Sequence, residues 1–191
     1  MKVIKSFPRI ANRHFIGHSE LVELDTLKEG CAYLTKEGYV IKEAKSFKEY
    51  EMTQAMKGHQ SMYIVDVYDC YEENGRYYIL EEYLTKGMDF NLLLRFSDCY
   101  RVSWFRLGYY SEMRDIIVKE EHRKIEDVLN LFKKLTNNDK YYEQLFHVTC
   151  KAITELYCLC PNAWLDTNAT NIGFTKGNIM KYFDVELCDF P

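Results

Sequence analysis

The sequence predicts an α+β fold in which a β-rich first half, residues 1–84, precedes a helical second half, residues 85–191. Three observations predict it. Short alternating apolar runs broken by Gly-bearing turns fill the stretch from Leu21 to Leu84, the pattern of antiparallel hairpins. Apolar residues at i, i+3, i+4, i+7 spacing then mark helices lying on a core between Ile125 and Cys160. Finally, a polar loop from Asp166 to Asn171 leads into a third hairpin pattern, with a turn at Thr175-Lys176-Gly177-Asn178 and a second strand ending on Asp184.

Taken in order, Leu21 to Leu27 alternates as a first strand, and Lys28-Glu29-Gly30 supplies a turn. Cys31 to Thr35 and Tyr39 to Ala44 form a tight hairpin across Lys36-Glu37-Gly38, where glycine permits the positive φ of a short turn. Ser46 caps a helix over Phe47 to Met56, and Gly58 suits its end. Met62 to Tyr71 and Arg76 to Leu84, joined by Glu72-Glu73-Asn74-Gly75, complete a five-stranded antiparallel sheet. Beyond Lys86 the pattern is less regular. Phe90 to Phe96 reads as a short helix, Arg101 to Tyr110 is aromatic and ambiguous, and Ile125 to Leu135 is helical. Tyr141 to Cys160 is the clearest helix, with Leu145, Val148, Ala152, Leu156 and Leu159 on one stripe, and Pro161 terminates it just before Asp166.

A chain of 191 residues with 47% apolar and 28% charged residues can bury a sizeable core. The formal charge of −4 offers no basic footprint for phosphate backbones, which argues against nucleic acid as a partner. No apolar run is long enough to span a bilayer and Met1 to Phe7 lacks a secretory core, so no membrane association and a cytoplasmic location are expected. Seven cysteines at irregular spacing do not make a disulfide framework. Cys158-Leu159-Cys160 with His147 and Cys150 lacks the paired spacing of a zinc site, so no structural zinc is expected.

Asp166, Asn171 and Asp184 set three oxygen-bearing side chains around one hairpin, the donor chemistry a hard divalent cation takes. Taken singly, Asp166 and Asn171 also suit ordinary turns, and Asp184 a strand-end cap. The pattern D-x-x-x-x-N followed by a strand-closing Asp resembles the catalytic loop and metal-binding Asp of protein-kinase-like phosphotransferases. Upstream, Val40-Ile41-Lys42 resembles the family's Lys-bearing strand, and Tyr77-Tyr78-Ile79-Leu80-Glu81-Glu82-Tyr83-Leu84 its last sheet strand and hinge.

The resemblance implies a two-lobed fold with ATP and Mg2+ as cofactors. Asp166 would orient the acceptor hydroxyl, Asn171 and Asp184 would hold the metal, and Lys42 would bind phosphate. Glu51, or less readily Glu49, would hold Lys42 from the helix. Gly30, or less readily Gly17, would lie over the phosphates, Leu80 would line the back of the pocket, and backbone groups at Glu81 to Tyr83 would bind adenine. The chain departs from the family where Trp164-Leu165 replace His-Arg and Val185-Glu186 replace Phe-Gly, and no activation loop or distal helices are expected. In this it resembles minimal kinases of phage and bacterial effector type, which implies a protein substrate or activating partner protein and a place in the cytoplasm, that of a host included. Two functions stay open: an ATP-dependent phosphotransferase of serine/threonine type acting on a protein or, less readily, on a small molecule, and a kinase-shaped binding protein that docks a host or partner protein.

Overall fold

The computed structural model describes residues 3–4, 21–24, 32–35, 38–73, 75–85, 90–183 and 185–187. The fold is α+β, and the chain divides into two units: residues 1–61 with 65–83, and residues 62–64 with 84–191.

The first unit is an antiparallel sheet with one helix. Its strands are β1 (Val3–Ile4), β2 (Leu21–Leu24), β3 (Ala32–Leu34), β4 (Tyr39–Glu43), β5 (Val67–Glu73) and β6 (Arg76–Glu82), in the order β1-β2-β3-β4-β6-β5. The sheet therefore has six strands, not the five expected, because Val3–Ile4 pairs with β2. The β3–β4 turn closes on Thr35, whose carbonyl accepts from Gly38 N at 3.0 Å and whose hydroxyl accepts from Tyr39 N at 3.1 Å, with Gly38 at φ 88. Helix α1 (Phe47–Met56) starts where its cap was predicted: Ser46 Oγ accepts from Glu49 N at 3.1 Å. It packs on β5 and β6, with Tyr50 against Tyr77 at 4.7 Å between ring centroids.

β5 begins later than its apolar run suggested. Asp66 turns the chain by accepting from Ser61 N at 2.9 Å, which separates the apolar residues before it from the strand after it. Residues 62–64 instead join the second unit, where Tyr182 N donates to Tyr63 O at 2.9 Å and Ile64 bridges Tyr182 in parallel.

Among the described residues of the second unit are α2 (Phe90–Arg106), α3 (Met113–Val118), α4 (His122–Leu135), α5 (Lys140–Leu159), and two small antiparallel pairs. One pair joins β7 (Ala163–Leu165) to β10 (Val185–Leu187), the other β8 (Ile172–Phe174) to β9 (Met180–Tyr182). α2 is one long helix rather than a short helix and an ambiguous stretch. Its buried stripe is Leu93, Phe96, Ser97, Tyr100, Ser103 and Trp104, and two serines in that stripe blur the apolar rhythm. Each hydroxyl has a partner, Ser103 Oγ donating to Cys99 O at 2.7 Å and Ser97 Oγ to Thr167 O at 2.8 Å. Phe132 of α4 stands between Phe96 at 5.9 Å and Phe146 of α5 at 5.2 Å, and Tyr100 meets Phe146 at 5.2 Å. No described helix is long and apolar enough to cross a membrane.

Candidate functional site

In the first unit, period-2 alternation decides which side chains meet. Lys42 lies opposite Ile79 and Val40 opposite Glu81, so all four share the sheet face that carries α1. The adjacent pair, Ile41 and Leu80, points to the other face and forms a core with Tyr78. On the Lys42 face, Glu49 closes a variant of the capping box: its amide binds Ser46, and its Oε2 accepts from Lys45 N at 2.6 Å. That hold leaves Glu49 Oε1 at 3.6 Å from Lys42 Nζ, while Glu81 Oε2 lies at 3.2 Å from it. Glu81 is only 5% exposed, and a carboxylate buried so far needs a cation beside it. One ammonium thus serves two acids.

These facts alter several expectations. Glu49 is the partner of Lys42; Glu51 is exposed, because two residues on a helix turn a side chain to a different face. Leu80 belongs to the core on the face away from Lys42. Glu81 meets Lys42 by its side chain, and its backbone sits in a central strand between Val40 and Val67. The neighbouring Glu82 N is also engaged, donating to Asp66 O at 2.9 Å. Tyr83, just past the strand, has no hydrogen-bond partner among the described residues. Gly30 and Gly17 lie outside the described residues.

In the second unit, Cys160 caps α5 and β7 carries the chain into Asp166. The Asp166 carboxylate is half-buried and held by neutral donors: Oδ1 accepts from Asn168 N at 3.1 Å, and Oδ2 from Asn168 Nδ2 at 2.9 Å and Asn171 Nδ2 at 2.8 Å. A 3-10 turn over Ala169–Asn171, closed by Asn171 N on Asn168 O at 3.0 Å, sets that spacing. Two side chains of α2, one helical turn apart, fix the loop from outside. Ser97 binds the Thr167 carbonyl, and Arg101 Nη1 donates to Asn168 Oδ1 at 3.1 Å.

The loop's far end is fixed as well. Phe183 N donates to Asn171 O at 3.0 Å, and Val185 pairs with Leu165. Asp184 itself lies outside the described residues, but the residues on either side of it are bonded to the loop's two ends. The β8–β9 hairpin is anchored beneath. Tyr182, fully buried, shares a 2.8 Å hydrogen bond with Thr149 of α5; burial pushes its phenol well above the usual range, with the Thr149 bond acting the other way. Thr85 N and O pair with Phe174 O and N at 2.9 and 2.8 Å, and this brings Leu84 so near that a Cβ on Gly173 would stand 2.5 Å from the Leu84 Cβ.

Asn171 is buried with its amide nitrogen committed to Asp166. Its Oδ1 accepts only a long bond of 3.3 Å from Thr170, so the oxygen retains capacity for a hard cation, as the donor chemistry of the loop suits. Among the described residues no group of three or more His, Cys, Asp or Glu could hold a metal ion. Burial pushes the Cys150 thiol up to about 12.

Arg101, Ser97, Asn168 and the choice of Glu49 escaped the sequence reading. The serine and arginine at i and i+4 within an otherwise aromatic segment were the available signal, though nothing local tied them to a loop so far downstream in the chain.

No protein-family model matches the chain. No curated protein matches it either. Among solved structures the chain is similar to the ADP-bound aminoglycoside phosphotransferase APH(2'')-Ib, at 12% identity and a TM-score of 0.40, over 95% of this chain and 71% of that one. It is also similar to APH(2'')-IIa in a ternary complex with streptomycin and ATP, at 13% identity and a TM-score of 0.38, over 97% of this chain and 74% of that one.

Proposed function

We propose that the chain is an ATP-dependent phosphotransferase of protein-kinase-like type. The observation that carries this reading is the 2.8 Å hydrogen bond between Asp166 and Asn171, in a loop whose two ends are bonded to the residues flanking Asp184. Turn chemistry alone explains an Asp bound to its own i+2 amide; it does not require a second amide five residues on, nor a strand returned to the loop's ends.

In this function Asp166 orients an acceptor hydroxyl and receives its proton as the hydroxyl oxygen bonds to the γ-phosphorus and the bond to the β-phosphate oxygen breaks, releasing ADP. Holding the carboxylate with three neutral donors fixes its position without neutralising its charge, as orientation of a nucleophile demands. Asn171 Oδ1 and Asp184 would hold Mg2+, which when bound neutralises charge on the phosphates. Lys42 binds phosphate, and Tyr83 backbone groups bind adenine. The acceptor is a serine or threonine hydroxyl of a protein, and a partner protein completes the substrate surface.

The test combines binding and turnover. Mg-ATP raises the thermal midpoint of the wild type by mass action, Asp184→Ala loses the metal-dependent part of the shift, and Asp166→Asn keeps the shift but loses transfer of labelled phosphate. No shift at millimolar nucleotide, or transfer undiminished in both variants, overturns the reading.

Glu81 favours a second reading. A buried carboxylate already paired to Lys42 competes with phosphate for the ammonium, as suits a kinase-shaped protein that binds a partner without catalysis. Nucleotide binding without any turnover supports it.

A further inference from the structure

We infer that Arg101 is a positioning residue for the phosphotransferase reaction, acting through Asn168 on Asp166. The inference rests on the proposed function, since it assigns a role within that site. Arg101 Nη1 donates to Asn168 Oδ1 at 3.1 Å, and the same amide's Nδ2 donates to Asp166 Oδ2 at 2.9 Å. An amide side chain can turn over and exchange its oxygen for its nitrogen; a cation on the oxygen forbids that turn, because the flipped amide would present N–H to a guanidinium and an oxygen to a carboxylate. Arg101 therefore keeps a donor, never an acceptor, facing Asp166. Ser97, one helical turn earlier, fixes the Thr167 carbonyl at 2.8 Å, so α2 is a two-point ruler for the loop.

Arg101 is exposed, and Asn168 Oδ1 is its one partner among the described residues. The surface bond adds little to stability but directs the group beside the reacting atoms. The chain Arg101, Asn168, Asp166, Asn171 runs from solvent to the proposed cation ligand, each link a hydrogen bond within one unit of the molecule.

The test measures phosphate release from Mg-ATP, with water as acceptor, by purified wild type, Arg101→Ala, Arg101→Lys, Asn168→Ala and the double variant Arg101→Ala/Asn168→Ala. Arg101→Ala is expected to lower kcat by about tenfold while KM for ATP stays within about twofold. Arg101→Lys restores most of the rate, because a single N–H suffices for Asn168 Oδ1. The double variant is no slower than Asn168→Ala, since the arginine acts only through the amide. Unchanged kcat in Arg101→Ala, a change in KM alone, or losses that multiply in the double variant overturns the assignment. If the wild type releases no phosphate to water, the phosphotransferase reading is decided by the nucleotide-shift and transfer test of the proposed function. The linkage is then read without turnover from exchange of the Asn168 backbone amide, which hydrogen-bonds Asp166 Oδ1: faster exchange in Arg101→Ala sustains it, and equal rates overturn it.

Discussion

The two units hold the carboxylates of the candidate site by opposite means. Around Lys42, charge is balanced by charge: one ammonium between Glu49 at 3.6 Å and Glu81 at 3.2 Å. Around Asp166, a charge is balanced by oriented neutral amides at 2.8 to 3.1 Å. Ion pairs are strong but weakly directional, and a Lys side chain swings to whichever anion approaches. Amide donors in a loop tied at both ends are directional and held by further hydrogen bonds. The first arrangement suits a group that must exchange its carboxylate partners for a phosphate, the second a group whose position relative to an incoming hydroxyl must not change.

The largest effect is expected at Asp166. Asp166→Asn is expected to cost about 10²- to 10⁴-fold in phosphoryl transfer, the range for a positioned base, with nucleotide affinity nearly unchanged. An equal loss of affinity in the thermal-shift titration would place Asp166 in binding rather than orientation.

Removing Lys42 separates stability from binding. Lys42→Met leaves Glu81 buried without its cation, so urea denaturation is expected to show a loss of about 3 kcal/mol, the lower end for a broken buried pair. Lys42→Met/Glu81→Gln should recover much of that stability and none of the nucleotide shift. A double variant no more stable than the single would show that the pair is not what holds Glu81.

Gly173 tests the loop's anchoring. A methyl at this position meets the Leu84 Cβ at 2.5 Å, backbone-attached on both sides, so Gly173→Ala should destabilise by about 1–3 kcal/mol, as overpacking does. A melting point equal to wild type would mean the Leu84 segment lifts from β8 at no cost, and the hairpin is not clamped there.

The smallest effect belongs to Tyr182→Phe, which removes a hydroxyl from Thr149 while Thr149 keeps its 2.8 Å bond to Leu145 O. About 1 kcal/mol of stability is expected to be lost, the ordinary net value of a hydrogen bond. A larger loss, accompanied by loss of transfer, would show that this single bond registers β9 against α5.

How much of this was legible from the sequence follows from the range of the forces involved. The β3–β4 hairpin, the Ser46 cap and the α5 helix were readable because each is specified within about one turn or one pleat: Gly38 by its φ, Ser46 by the amide three residues on, α5 by its apolar stripe. The polar loop from Asp166 to Asn171 was readable as a turn for the same reason. Tertiary structure decided the rest. Glu49 rather than Glu51 meets Lys42 because helix phase relative to a sheet face is set by packing of Tyr50 on Tyr77. Leu80 faces the core and the Glu81 side chain meets Lys42 because one residue along a strand turns a side chain to the other face. The Arg101 and Ser97 contacts join α2 to a loop far along the chain, and a polar residue in a helix carries no mark of the distant carbonyl or amide that will satisfy it.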